Sequence, residues 1–153
     1  MTIPRISEEA MVSSEKVALA QVEELLNHLE KCEYATLYHT LFAVMWHTGC
    51  RISAAIAFDV NDFVQDPVPT ENDPDPAPYL KFRNRPEQGT GLKNRAKSER
   101  NVSISDDIAE LLNDYLVGHR HPIENKHDRE PLFCTEHRRL ARQRAYKAIT
   151  RYT

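Results

Sequence analysis

Arg51 follows Gly49 by two residues and opens the apolar stretch Ile52 to Phe58. A lone arginine at a helix start beside a tight turn is an unusual placement, and its planar fork of donors matches a phosphate through two parallel hydrogen bonds. Lys93, Arg95, Lys97 and Arg100 fall within the single run LKNRAKSER, Leu92 to Arg100. Cations at that density supply affinity for a nucleic-acid backbone without carrying sequence information. Other chemistries find less material. Cys32, Cys50 and Cys134 are odd in number and far apart, unlike the close pairs of zinc sites, and are expected to be small buried or half-buried residues. Seven histidines include His39 and His47 on a helix-like segment; they read as structural or surface residues, and no metal is expected.

The net charge of −3 by itself argues against a polyanionic partner, but the charges are unevenly placed. The first 50 residues hold three basic groups against seven acidic ones, and Asp59 to Asp75 holds six acids and no base. Between Lys81 and Arg100 there are seven basic residues against two acids, and between Lys126 and Arg151 eight against three. That is the pattern of a basic face on an acidic body. The competing account of these blocks is two solvated charged surfaces, and that of Arg51 is a pairing with Asp59 or Asp62 at a helix end.

The elements that must position these residues follow from periodicity. Apolar residues 41% and charged residues 28% are ordinary for a globular chain, and 153 residues can bury roughly 70% of their unfolded surface as one domain. The longest apolar run, Leu41 to Trp46, is far short of the roughly 20 residues that span a bilayer, and the acidic start MTIPRISEEAM lacks a secretory core. Cytoplasmic residence without membrane contact is the expectation. Ala18, Val22, Leu25, Leu26 and Leu29 predict an amphipathic helix over Ser13 to Lys31, after an extension at residues 1–12. A largely buried helix is predicted from Tyr34 to His47 with Gly49 as its stop, then a short helical stretch, ISAAIAF. Asp66 to Pro78 carries five of the nine prolines and reads as a stiff exposed loop. YLKFR and RNVSIS predict an antiparallel hairpin with a long basic connection. Ser105 with Asp106 and Asp107 starts a helix carrying Ile108, Leu111, Leu112, Tyr115 and Leu116 up to Gly118. PLFCT is a short apolar segment, and Arg138 to Tyr152 predicts a basic helix. The fold class is therefore α+β, mainly α, with a small antiparallel sheet.

TGCRISAAIAFDVNDF, Thr48 to Phe63, and LKNRAKSERNVSIS, Leu92 to Ser105, occur in this order. Together they resemble the first signature box and the lysine-bearing hairpin of tyrosine recombinases, the phage integrase family, and most closely archaeal, haloarchaeal-like integrases. The resemblance runs from about Val12 onward and implies the first half of that family's catalytic domain, residues 13–153. It also implies DNA strand breaking and rejoining in site-specific recombination and DNA integration, by a tyrosine nucleophile without metal or cofactor. Arg51 matches the family's first catalytic arginine, and Lys93, with Lys97 as second choice, its catalytic lysine, the general acid for the leaving 5′-oxygen. Arg95, Lys97 and Arg100 are expected to contact backbone phosphates. Ala54 stands where many members carry glutamate.

The family's His-x-x-Arg pair is absent, since His127 leads to Glu130 and His137 to Leu140. Tyr146 and Tyr152 are accordingly expected to be core or helix-surface residues. The implied function is a DNA-binding part of a recombinase that does not cleave by itself, with double-stranded DNA as partner and no small-molecule substrate. The alternative is a noncatalytic module that competes with an intact recombinase or docks on it, and a third reading is a plain helical interaction protein. The second helix and the hairpin are expected to show an uncovered apolar flank, and with it a tendency to self-associate.

Overall fold

A computed structural model describes residues 8–92, 95–124 and 127–152. Its helices are α1 (Glu8–Cys32), α2 (Leu37–Thr48), α3 (Ile52–Ile56), α4 (Asp106–Gly118) and α5 (Arg142–Tyr152), and its strands are β1 (Phe63–Val64), β2 (Tyr79–Phe82) and β3 (Arg100–Ser103). The fold is α+β with a small antiparallel sheet in the order β1-β2-β3.

α2 is the central element and packs against α1, α3 and α4. Its apolar residues lie on most faces, so it is buried from His39 to Val44. It begins later than the predicted Tyr34, because Ala35 takes a left-handed φ of 59° and breaks the chain there. The Thr36 hydroxyl then accepts from the His39 N–H at 3.4 Å and caps the new start. Gly49 ends α2 with φ 69°, and its N–H donates to the Met45 carbonyl, a conformation that glycine adopts without a Cβ penalty.

The predicted hairpin is present as β2 and β3, paired from Tyr79↔Ser103 to Phe82↔Arg100. β1 adds a two-residue third strand through Phe63↔Leu80 and Val64↔Tyr79, which period-2 patterning does not reveal in so short a piece. Leu80 and Phe82 point into the core and Tyr79 and Lys81 away from it, as strand alternation requires. Phe82 meets Phe58 edge to face at 4.9 Å, and burying a ring of this size is worth about 1.5–3 kcal/mol. The proline-rich segment forms no helix or strand.

α4 starts where the Ser105–Asp106–Asp107 signal places it, with the Ser105 hydroxyl accepting from the Ile108 N–H at 3.2 Å. Tyr115 is buried on its inner face and donates its hydroxyl proton to the Leu132 carbonyl at 2.9 Å.

Five further expectations need correction. α1 is already helical at Glu8, the first described residue, and so runs through the boundary expected at residue 12 and the start expected at Ser13. α3 stops at Ile56, and α5 starts at Arg142 rather than Arg138. The delay in α5 has a local cause: the Thr135 N–H bonds to the Arg138 carbonyl and the Leu140 N–H to the Phe133 carbonyl, folding residues 133–140 back on themselves. Cys32 is exposed rather than buried, while Cys50 is intermediate and Cys134 buried, all three free. Among the described residues the flank expected on α2 and the hairpin is largely covered, with Trp46 of α2 left 43% exposed. Leu132, Phe133, Leu140, Ala145 and Ala148 join the core built by α2 and the sheet, and the Tyr152 ring lies edge-on to Phe42. α5 and the segment before it provide the missing cover.

Candidate nucleic-acid interface

The Thr48–Gly49 turn is built from two hydrogen bonds of one hydroxyl. Thr48 Oγ1 donates to the Val44 carbonyl at 2.8 Å and accepts from the Cys50 N–H at 3.3 Å. The last turn of α2 is thereby tied to the first residue beyond Gly49. The chain then extends through Arg51, at φ −76° and ψ 157°, and enters α3 with Arg51 as its N-cap. The Arg51 side chain makes no capping bond and is exposed.

A cleft of about 240 Å³ opens beside Arg51, lined by the Gly49–Cys50 turn, by Ser53 and Ala54 of α3, by Phe82 and Leu92, and by Ser98 and Arg100. Arg51 and Arg100 thus meet at one cleft although they are far apart in sequence. Arg100 is fixed: its guanidinium lies 4.1 Å from the centre of the Phe82 ring, and Nη1 donates to the Ser98 carbonyl at 2.8 Å. Among the described residues, no carboxylate lines this cleft. Cys50 also lines it, but burial pushes its thiol above the ordinary cysteine range, so it remains a protonated wall residue rather than a nucleophile.

Arg95 and Lys97 sit exposed on the 3-10 turn Arg95–Ser98 that leads into β3. Lys93, the first choice for the lysine, lies outside the described residues. Ala54 lines the cleft, and its methyl group cannot hold the arginine as a glutamate could.

The Arg51 pairing with Asp59 or Asp62 does not occur. Asp59 and Asp62, 6% and 2% exposed, are held by other arginines. Arg85 forks onto Asp62 with bonds of 2.9 and 2.8 Å and reaches Asp59 at 3.3 Å. Arg129 and Arg139 each donate to the Asp59 carboxylate. Arg129 also donates to Gln88 Oε1 at 2.8 Å and Thr90 Oγ1 at 3.1 Å, and Arg139 to the carbonyls of Ile56 and Phe58. The hydrogen bond to Asp62 raises the Arg85 pKa above its ordinary value. Three cations counted toward a basic face are therefore internal. This cluster was missed because its partners are distant in sequence.

Among the described residues, what remains of the second basic block is exposed Arg138 and α5. Arg142, Arg144, Lys147 and Arg151 are exposed on it, its sequence RQRAYKAITRY holds no acid, and it packs on α3. Tyr146 is 47% exposed, with the Arg142 guanidinium 5.4 Å from its ring centre. Tyr152 donates to Glu33 Oε2 at 2.7 Å, and burial raises its pKa. That is the wrong direction for an activated phenolate.

No protein-family model, no curated protein and no solved structure matches the chain. No helix among the described residues is long and apolar enough to cross a membrane.

Proposed function

We propose that this chain is a DNA-binding part of a tyrosine recombinase or integrase, holding double-stranded DNA in site-specific recombination without cleaving it by itself. The observation that carries this reading is the convergence of Arg51 and Arg100 on one open cleft without a carboxylate of the described residues in its lining. The exposed cations Arg95 and Lys97, and the basic face of α5, extend the same surface chemistry. The tied turn fixes the backbone at Arg51, and the Phe82 ring and the Ser98 carbonyl hold the Arg100 guanidinium, so part of the ordering needed to bind a phosphodiester oxygen is already in place. Lys93 keeps the role of general acid in the proposal, with Lys97 as the substitute.

The noncatalytic alternative, a module that competes with or docks on an intact recombinase, is supported by one observation. The core runs without interruption from Leu29 on α1 to Ala148 on α5, as expected of a chain that is stable by itself.

Fluorescence anisotropy of a labelled duplex across a salt series tests the reading. The parent chain binds at low salt, and log affinity falls linearly with log salt, with a slope of about −0.9 per phosphate contact. Arg51→Ala and Arg100→Gln each make that slope shallower by about one contact. Absence of binding at low salt overturns the reading. Binding by the parent with no change in the rate of an intact recombinase removes the alternative.

A further inference from the structure

The segment that joins β1 to β2, Asp66 to Pro78, holds four acids, five prolines and no base. Asp66, Glu71, Asp73 and Asp75 are all exposed, and none of them forms an ion pair among the described residues. The segment nevertheless has a fixed shape. The Thr70 N–H donates to the Asp73 carbonyl at 2.9 Å, and the Asp73 N–H donates to the Thr70 carbonyl at 3.2 Å and to Thr70 Oγ1 at 3.1 Å, closing a turn with Glu71 at its tip. Prolines on both sides of that turn fix φ. Beside it Val68 is 83% exposed, an apolar side chain standing among carboxylates.

α5 offers the opposite surface. Arg144, Lys147 and Arg151 lie three and four residues apart and form one exposed row along the helix. Tyr146 stands exposed next to that row, with the Arg142 guanidinium over its ring. None of these cations meets a carboxylate among the described residues. An exposed tyrosine beside cations is the pairing that receives an acidic proline-rich segment, since the ring packs on pyrrolidine and the cations pair with the carboxylates.

Duplex DNA answers the α5 cations but repels the loop, so it accounts for one of these surfaces and not the other. A second copy of the chain accounts for both. We propose that the chain self-associates by seating the Asp66 to Pro78 loop of one copy on α5 of another. Val68 and the neighbouring proline rings lie on Tyr146, and the loop carboxylates reach the row of Arg144, Lys147 and Arg151. Docking costs the loop little freedom, because its turn and its prolines have already removed it. Each copy carries both halves, so a two-fold pair makes the contact twice. This inference does not rest on the DNA reading; where both hold, loop and duplex compete for α5.

Sedimentation equilibrium of the full chain without DNA tests it, at low ionic strength and at concentrations up to about 1 mM, where a small interface of this kind is populated. The average mass is expected to rise with concentration toward that of a dimer, and to fall back as added salt screens the ion pairs. Asp66→Asn/Glu71→Gln/Asp73→Asn/Asp75→Asn on the loop and Arg144→Gln/Lys147→Gln on the helix are each expected to weaken association about tenfold, with melting curves that match the parent's. An equimolar mixture of the two regains part of it, because one variant keeps the helix and the other the loop. Val68→Ser keeps every charge and is expected to weaken association too, which a diffuse attraction between opposite surfaces would not show. No rise in mass at the highest concentration, unchanged association in either charge variant or in Val68→Ser, or no recovery in the mixture overturns the proposal.

Discussion

On the C-terminal side of α3, Arg85, Arg129 and Arg139 are held by Asp59 and Asp62, whereas on its N-terminal side Arg51 and Arg100 face a cleft lined by no carboxylate of the described residues. The same side chain thus does two jobs within one small domain. In the first region, two buried carboxylates need arginines, and the arginines in turn tie three chain segments together. In the second, the Arg100 guanidinium is held by the Ser98 carbonyl and the Phe82 ring, the Arg51 side chain is exposed, and neither pairs with a carboxylate of the described residues. What separates a structural arginine from one left open to a ligand is therefore the presence of a fixed anion, not the local density of basic residues.

The largest effect tests the first region. Asp59→Ala leaves half-buried guanidinium groups without their anion and costs about 3 kcal/mol, read as a lowered urea midpoint. A loss below about 1 kcal/mol would mean that the arginines escape to solvent. The second region responds differently: Arg51→Ala lowers DNA affinity about tenfold, about 1.4 kcal/mol, while stability changes by no more than about 0.5 kcal/mol, as for exposed substitutions. If Arg51→Ala destabilises as much as Asp59→Ala, the distinction between the regions collapses.

Gly49→Ala probes the turn that presents Arg51. An added Cβ meets nothing within 4 Å, so the cost is the left-handed backbone alone, about 1–2 kcal/mol. Affinity for DNA falls with it if the turn orients the arginine, as anisotropy and a parallel melt would show.

The smallest effect uses pH to leave both arginine regions untouched. His39 has a lowered pKa in the folded state, so the unfolded chain binds more protons. Its stabilising contribution is complete above about pH 6.5 and is lost as pH falls below that value. Arginines remain charged throughout. Melts between pH 7.5 and 5.5 are expected to show a decline that His39→Gln flattens; an equal decline in the variant assigns the pH dependence elsewhere.

α4 was readable because its signals are local: a serine cap, two acids in the first turn and apolar residues at helical spacing all fall within one short stretch. The strands β2 and β3 were readable for the same reason, through alternation. The start of α5 was not, because hydrogen bonds of the preceding residues 133–140 set it rather than any propensity of Arg138. In the candidate interface, Arg51 was visible from its Thr-Gly turn. Its neighbour Arg100 was legible as a basic residue but not as a fixed one, since Phe82 lies across the hairpin.

By itself the sequence determined the helices, the hairpin and the turn that carries Arg51, because caps, left-handed glycine and apolar periodicity act between residues a few positions apart. Only the tertiary structure decided which arginines are free. Arg85 lies 23 residues from Asp62, and Arg129 and Arg139 lie 70 and 80 from Asp59. Charge carries no label for its partner, and two buried carboxylates choose theirs only once the folded chain has removed them from water.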